Sequence, residues 1–299
     1  MSTPTQRLLS LLNLEEIGEN RFTAHAPETT VQRVFGGQVA AQSLMAAMRT
    51  VDEDRQVHSL HSSFFHHGDP TIPIIFEVDR VRDGRAFSNR VVTAYQEDRP
   101  IFMMITGFHI QEPGPEHQIT RPVVPWPDEV ADVLPDMVKR GVPWLADQFP
   151  GSEAIKVNLV QPLDVQAAVQ ANTLQLWFKS AEPINGDMRL HACFLTFASD
   201  MALLIPAVLP HMPTPTTRYQ LASLNHSIWF QRPVKFDDWL LYNMRSCRAA
   251  GARGTAQGHV YTRDGELVAT ITQEGLIRPQ GDTGQMATGL DHKGRLINP

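Results

Sequence analysis

Three polar residues in the last third of this 299-residue chain stand among apolar neighbours: Asp200, Ser223 and Gln273. An acid, a hydroxyl and a carboxamide together can hold and deprotonate a water molecule. Whether they do so here depends on what surrounds each of them. Asp200 lies between Phe197-Ala198 and Met201-Ala202-Leu203-Leu204, and an ionised carboxylate in such company needs a partner or a proton. Two readings stand: a partly desolvated base, or a cap in which Ser199 or Asp200 starts a helix after a break. Gln273 falls on the apolar side of a strand pattern, with Leu267, Ala269, Ile271, Gly275 and Ile277 in alternation. A buried amide left without partners costs about 1–3 kcal/mol. Gln273 is therefore a backbone-bonded structural amide or a positioner of ligand or water. Ser223 opens a strand that alternation gives one face with Asn225, Ser227 and Trp229; alone, it is weak evidence of chemistry.

Other groups are less specific. His58, His61, His66 and His67 suggest a metal, but on a regular strand His58 and His61 face opposite ways, and no metal-type spacing helps. No metal site is expected. Gly36-Gly37 lacks the further Gly and Lys of a phosphate loop and reads as a close helix–sheet approach. Arg80, Arg82, Arg85 and Arg90 surround Asp83-Gly84; they form a solvated charged face or a phosphate contact, for which Arg is suited. A serine-nucleophile elbow, Gly-x-Ser-x-Gly, does not occur in the chain.

The elements that must position these residues form a repeat. The spacing predicts a short amphipathic helix through Leu8, Leu9, Leu11 and Leu12, then a small-residue helix through Ala40, Ala41, Leu44, Met45 and Met48. Strands follow at about 57–67, 74–82, 87–96 and 100–110. A proline-rich connection over 112–160, with one short helix near 136–148, joins two folded units. The second unit, 161–278, reads as a strand near 173–180, a helix over 189–209, and strands near 221–231, 238–248, 254–262 and 266–277. Residues repeat too: His61-Ser62 answers His226-Ser227, and Phe35-Gly36-Gly37-Gln38 answers Phe197-Ala198-Ser199-Asp200. On this alignment Gln38, His58 and Thr106 stand where the second unit has Asp200, Ser223 and Gln273. A helix followed by four antiparallel strands, twice, is an α+β fold in which each helix is wrapped by curved sheet and the sheets join edge to edge. The polar, Gly-rich tail over 279–299 is expected to be poorly ordered.

Bulk properties narrow the class. A net charge of −6, with 42% hydrophobic and 19% charged residues, describes a globular protein without the basic excess of a nucleic-acid binder. No run approaches the ~18 apolar residues of a membrane span. Two cysteines without metal spacing, a polar start after Met1 and an end that is not Ser-Lys-Leu make a cytoplasmic protein with free thiols the expectation.

Several segments taken together resemble the acyl-CoA thioesterase II family, the TesB-like double hot-dog thioesterases, over about residues 6–278. They are Val34-Phe35-Gly36-Gly37-Gln38, His58-Ser59-Leu60-His61-Ser62, Arg82-Asp83-Gly84-Arg85-Ala86-Phe87 and Ser199-Asp200. Asn225 through Pro233, Asp238-Trp239-Leu240-Leu241-Tyr242, Ala252-Arg253-Gly254 and Gln273-Glu274-Gly275 complete the set. The resemblance implies an acyl-CoA substrate, a double hot-dog fold, further assembly into homo-oligomers, and no metal or redox cofactor. It implies that Asp200, Ser223 and Gln273 hold and activate the attacking water. Many members carry Thr at the position of Ser223, which keeps the hydroxyl, and Asp at that of Asn225, which changes local charge. Two rivals remain. A hot-dog hydratase or dehydratase would use an acid–His pair, and a non-enzymatic acyl-CoA binder would keep the pocket without turnover.

Overall fold

The computed structural model describes residues 2–24, 33–130, 150–160, 172–211 and 219–280. Helix α1 (Pro4–Leu12) starts with Thr3 and Gln6 in a reciprocal capping box, with Pro4 in its first turn, and buries Leu8 and Leu12. Two short strands follow, β1 (Glu15–Gly18) and β2 (Arg21–Ala24). Helix α2 (Gly36–Met48) buries eleven of its thirteen residues. Ala40, Ala41, Ala46 and Ala47 let it sink into the concavity of a sheet. Strands β3 (Gln56–Phe64), β4 (Ile74–Asp83), β5 (Phe87–Gln96) and β6 (Arg99–His109) complete the first repeat.

The second repeat contains β7 (Ile155–Leu159), β8 (Thr173–Ser180), α3 (Met188–Ser199) and the single turn α4 (Ile205–Val208). It closes with β9 (Tyr219–Phe230), β10 (Leu240–Ala250), β11 (Arg253–Thr262) and β12 (Leu267–Pro279). The described strands form one sheet in the order β1-β2-β4-β5-β6-β3-β9-β12-β11-β10-β8-β7. That order is the same read from either end, each strand answering its counterpart in the other repeat. The seam is the antiparallel pair β3–β9, with Leu60 opposite Ile228 and Ser62 opposite His226. The α+β arrangement of two sheet-wrapped helices is the one expected.

Two features depart from the sequence reading. Strands β1, β2 and β7 were not anticipated. Strand β7 lies inside the span read as connection and pairs with β8. The helix expected over 189–209 breaks: α3 ends at Ser199, Asp200 takes its C-cap position, and α4 begins only at Ile205. The helix expected near 136–148 and most of the polar tail fall outside the described residues. Among the described residues no helix is long and apolar enough to cross a membrane.

Candidate active site

Asp200, Ser223 and Gln273 meet. The Ser223 hydroxyl donates to Asp200 Oδ1 at 2.8 Å, and Gln273 Nε2 donates to the same oxygen at 2.7 Å and to Ser223 Oγ at 2.7 Å. Gln273 has no exposed surface and Asp200 is 9% exposed. The helix break brings the carboxylate here. Asp200 takes the C-cap position of α3, its backbone still right-handed helical (φ −78°, ψ −16°), and its side chain meets β9 and β12 through Ser223 and Gln273 instead of capping a new helix from its start.

Ser223 faces inward for a reason that strand alternation misses. Strand β9 carries a bulge at Leu224: Ser223 pairs with Gly275 and Asn225 with Glu274. The extra residue reverses parity, so Ser223 shares the inner face with His226, Ile228 and Phe230, which are buried, while Trp229 is exposed. Asn225 instead accepts a hydrogen bond from the Glu274 N–H at 3.0 Å. Strand β3 carries the matching bulge at His58, between Val57 opposite Phe108 and Ser59 opposite Gly107. The repeat alignment is therefore corrected by one residue along this strand. Ser223 answers Val57, not His58, and His226 answers Leu60, not His61.

The bulge also brings in a residue the sequence reading had set aside on parity, His226. Its Nδ1 lies 2.9 Å from Gln273 Oε1 and its Nε2 lies 2.8 Å from Ser199 Oγ. Burial, the largest influence, pushes the imidazole below its ordinary range, while the charge of Asp200 and the Gln273 bond act the other way. A neutral ring fits its contacts in one tautomer: Nδ1–H donates to the Gln273 carbonyl, and Nε2 accepts from the Ser199 hydroxyl when that single proton is turned to the ring rather than to the Thr196 carbonyl 3.0 Å away. This sets the Gln273 amide with its NH2 toward Asp200. Two further contacts brace the network. The Ser62 hydroxyl donates to the His226 carbonyl at 2.8 Å, and the Tyr242 hydroxyl donates to the Ser199 carbonyl at 3.2 Å. Burial first, and then the charge of Asp200, holds the Tyr242 phenol protonated well above its usual range. The sequence signal for His226 was its pairing with Gln273 across a ladder, hidden by an unpredicted bulge.

The start of α2 faces this acid. A Cβ built on Gly36 would lie 2.8 Å from Asp200 Oδ2 and 2.9 Å from Phe64 Cε1; one on Gly37 would lie 2.5 Å from the Phe197 carbonyl. The close approach expected of the paired glycines is real, but it brings α2 against α3 and the carboxylate as well as the sheet. Phe35, at the N-cap, makes no side-chain cap; its carbonyl accepts from the Gln38 and Val39 N–H groups at 3.1 and 3.3 Å, so the N–H groups of Gly36 and Gly37 are the ones that precede the first intrahelical bond of α2 beside the site.

The remaining candidates lie elsewhere. Thr106 donates to the Ser59 carbonyl at 2.9 Å, and Gln38 is buried within α2. His58 packs edge-on to Phe87 and His109. Among the described residues no group of three or more His, Cys, Asp or Glu is placed to hold a metal ion. Arg90 is buried and donates to Thr50, Asp83 and backbone carbonyls. It is a structural residue at the opposite end of α2, not a ligand contact.

Residues 145–276 match the family described as acyl-CoA thioesterase, and residues 25–109 match the acyl-CoA thioesterase N-terminal domain. Acyl-coenzyme A thioesterase 8 of Homo sapiens is 36% identical over 282 residues, covering 90% of this chain and 88% of that protein. Acyl-CoA thioesterase 2 of Haemophilus influenzae is 35% identical over 288 residues, covering 93% and 99%. The crystal structure of acyl-CoA thioesterase II TesB2 from Mycobacterium marinum superposes with a TM-score of 0.76 at 36% identity, covering 92% of this chain and 99% of that one.

Proposed function

This chain belongs to the acyl-CoA thioesterase family, and from that premise we propose that Asp200, Ser223 and Gln273 carry its reaction. The chain is a hydrolase of double hot-dog type that cleaves acyl-CoA to the free acid and CoA. Ser223 and Gln273 both pin Oδ1 of Asp200, and Oδ2 is turned toward the start of α2. A water entering at that edge takes up the hydrogen bonds now offered to the carboxylate and is held to add to the face of the thioester carbonyl, giving a tetrahedral oxyanion that then expels the thiolate. Asp200 accepts its proton. Gly36 lies against Asp200, which supports the Gly36 and Gly37 N–H groups as donors to the oxyanion. Coenzyme A leaves readily as a thiolate, because a thiol has a pKa of about 8.5. His226 is bonded to Ser199 and Gln273, not to Ser223, which supports water rather than the serine as nucleophile.

The observation that carries this reading is the convergence of two donors on one oxygen of a buried carboxylate, beside the first residue of α2. It is tested by following free-thiol release from a panel of acyl-CoAs with wild type and Asp200→Ala. A fall of ~10²-fold or more in kcat with acyl-CoA binding retained is expected. Equal release by both proteins overturns the role of Asp200. Conversion of enoyl-CoA without thiol release returns the hydratase reading.

The repeat over 161–278 is thus the catalytic unit, with 1–111 its partner repeat. An outward patch on the central sheet, with Met103, Ile105 and Trp229 38–51% exposed, supports assembly into homo-oligomers. The free Cys193 and Cys247 support a reducing, cytoplasmic setting.

A further inference from the structure

Coenzyme A carries its phosphates at the far end of a long flexible arm, so an acyl-CoA bound at Asp200 must meet the protein again some way from the thioester. Two chain segments lead away from the acid. One runs back from Gly36 to Arg33, the other forward from Phe64 to Gly68. They touch one another where the Val34 N–H donates to the Gly68 carbonyl at 2.9 Å. At the near end Gly36 abuts both Asp200 Oδ2 and Phe64. At the far end the Phe65 and His66 N–H groups both donate to the Ile101 carbonyl, at 2.9 and 3.2 Å, which brings the start of β6 alongside. Three residues of extended chain cover at most about 10 Å, and an Arg side chain reaches further.

Positive groups gather at that far end. Arg99 Nη2 lies 2.7 Å from His66 Nδ1, and both residues are exposed. His67 is held below its ordinary pKa first by burial, then by the charges of Arg33, His66 and Arg99. Burial and then Arg99 do the same to His66. No carboxylate enters either balance, and among the described residues neither Arg33 nor Arg99 forms an ion pair with one. In a chain of net charge −6, four adjoining cationic or N–H-donating side chains, with no ion pair to a carboxylate among the described residues, form a site suited to an anion.

We propose that Arg33, His66, His67 and Arg99 bind the phosphate groups of CoA, with the pantetheine arm lying along the two segments that lead to Asp200. This rests on the thioesterase reading above. The other arginine group is already engaged. Arg90 is committed to Thr50 and Asp83, and Arg80 donates to Asn20. Both sit beyond the C-terminal end of α2, about 20 Å from Gly36 along its thirteen residues.

The test compares two substrates with the same acyl chain, acyl-CoA and acyl-N-acetylcysteamine, which lacks the nucleotide. Wild type, Arg33→Ala/Arg99→Ala and the control Arg85→Ala are assayed by thiol release. The double variant is expected to raise KM for acyl-CoA about 10-fold or more with kcat within about twofold. Its kcat/KM for the truncated thioester should equal wild type, which also shows that the variant folds. Raising salt should increase the wild-type KM for acyl-CoA and affect the double variant less. An unchanged acyl-CoA KM, an equal loss on both substrates, or the same rise in Arg85→Ala overturns the site. Wild type that releases thiol from neither substrate overturns the thioesterase reading itself, a result separate from the other three.

Discussion

At the bulge of the first repeat, the rungs between β3 and β6 pair Val57 with Phe108 and Leu60 with Thr106. At the matching bulge of the second, those between β9 and β12 pair Ser223 with Gly275 and His226 with Gln273. The backbone is the same device twice, extra residue included. What differs is whether the inner face carries a connected set of polar groups. In the first repeat the Thr106 hydroxyl is satisfied by the carbonyl of Ser59, Leu60 has nothing to satisfy, and Gln38, aligned with Asp200, carries no charge. In the second, Ser199, His226, Gln273, Ser223 and Asp200 form one continuous chain of hydrogen bonds. Buried polar networks are stable when complete and costly when broken. A repeat that gives up the chemistry does best to give up the whole network, and the first repeat has done so.

Exchanging residues between the repeats probes this contrast. The largest effect is expected from Gln273→Thr, which installs the residue of the first repeat. It leaves Asp200 Oδ1 with one donor and should lower kcat by ~10²-fold in the thiol-release assay. Activity near wild type would mean the amide is structural only. Next is His226→Leu, which strips Gln273 Oε1 of its donor. A loss of about 1–3 kcal/mol in stability by urea unfolding and about 10-fold in kcat are expected, whereas His226→Asn, with a donor where Nδ1 stood, should keep most of both.

The His226 variants also test the protonation state. Burial lowers the folded pKa of His226, so the folded protein holds it neutral while the unfolded chain takes up a proton below about pH 6.5. Its contribution to stability is therefore full above that pH and falls away as pH drops. His226→Asn should flatten the loss between pH 6.5 and 5.5 by up to about 1 kcal/mol; an unchanged slope would mean the ring is already charged in the fold. The smallest effect is expected from Thr106→Val in the first repeat: about 1 kcal/mol of stability and less than twofold in kcat. A tenfold fall in kcat there would erase the distinction between the halves.

The long strands and α2 were legible because each carries a sustained period. Strands β4, β5, β6, β10, β11 and β12 are ten or more residues long, with stretches of clear alternation such as Ile74–Val78 and Ile271–Ile277, and α2 is rich in small and apolar residues without Pro. Strands β1, β2 and β7, of four or five residues, are too short for a period to register, and their pairing with neighbours makes them strands. The three residues of the site were singled out by comparing the repeats, even though that alignment set Ser223 against His58. The geometry that unites them was not legible. The end of α3 at Ser199 interrupts an apolar run that reads as one continuous helix. The bulges at His58 and Leu224 carry no Gly or Pro to mark them. His226 was set aside for the same reason, since parity counted on a regular strand put it on the wrong face.

The acid of the second repeat rests against Gly36, the first residue of a helix belonging to the first. A protein with one repeat per chain would have to find a second copy to build such a contact, and dilution would take its site apart. Here the complementary surface is tied on by the same polypeptide, at an effective concentration that no dilution lowers. The first repeat behaves as a captive subunit: it brings no acid of its own, yet is always present to complete the site.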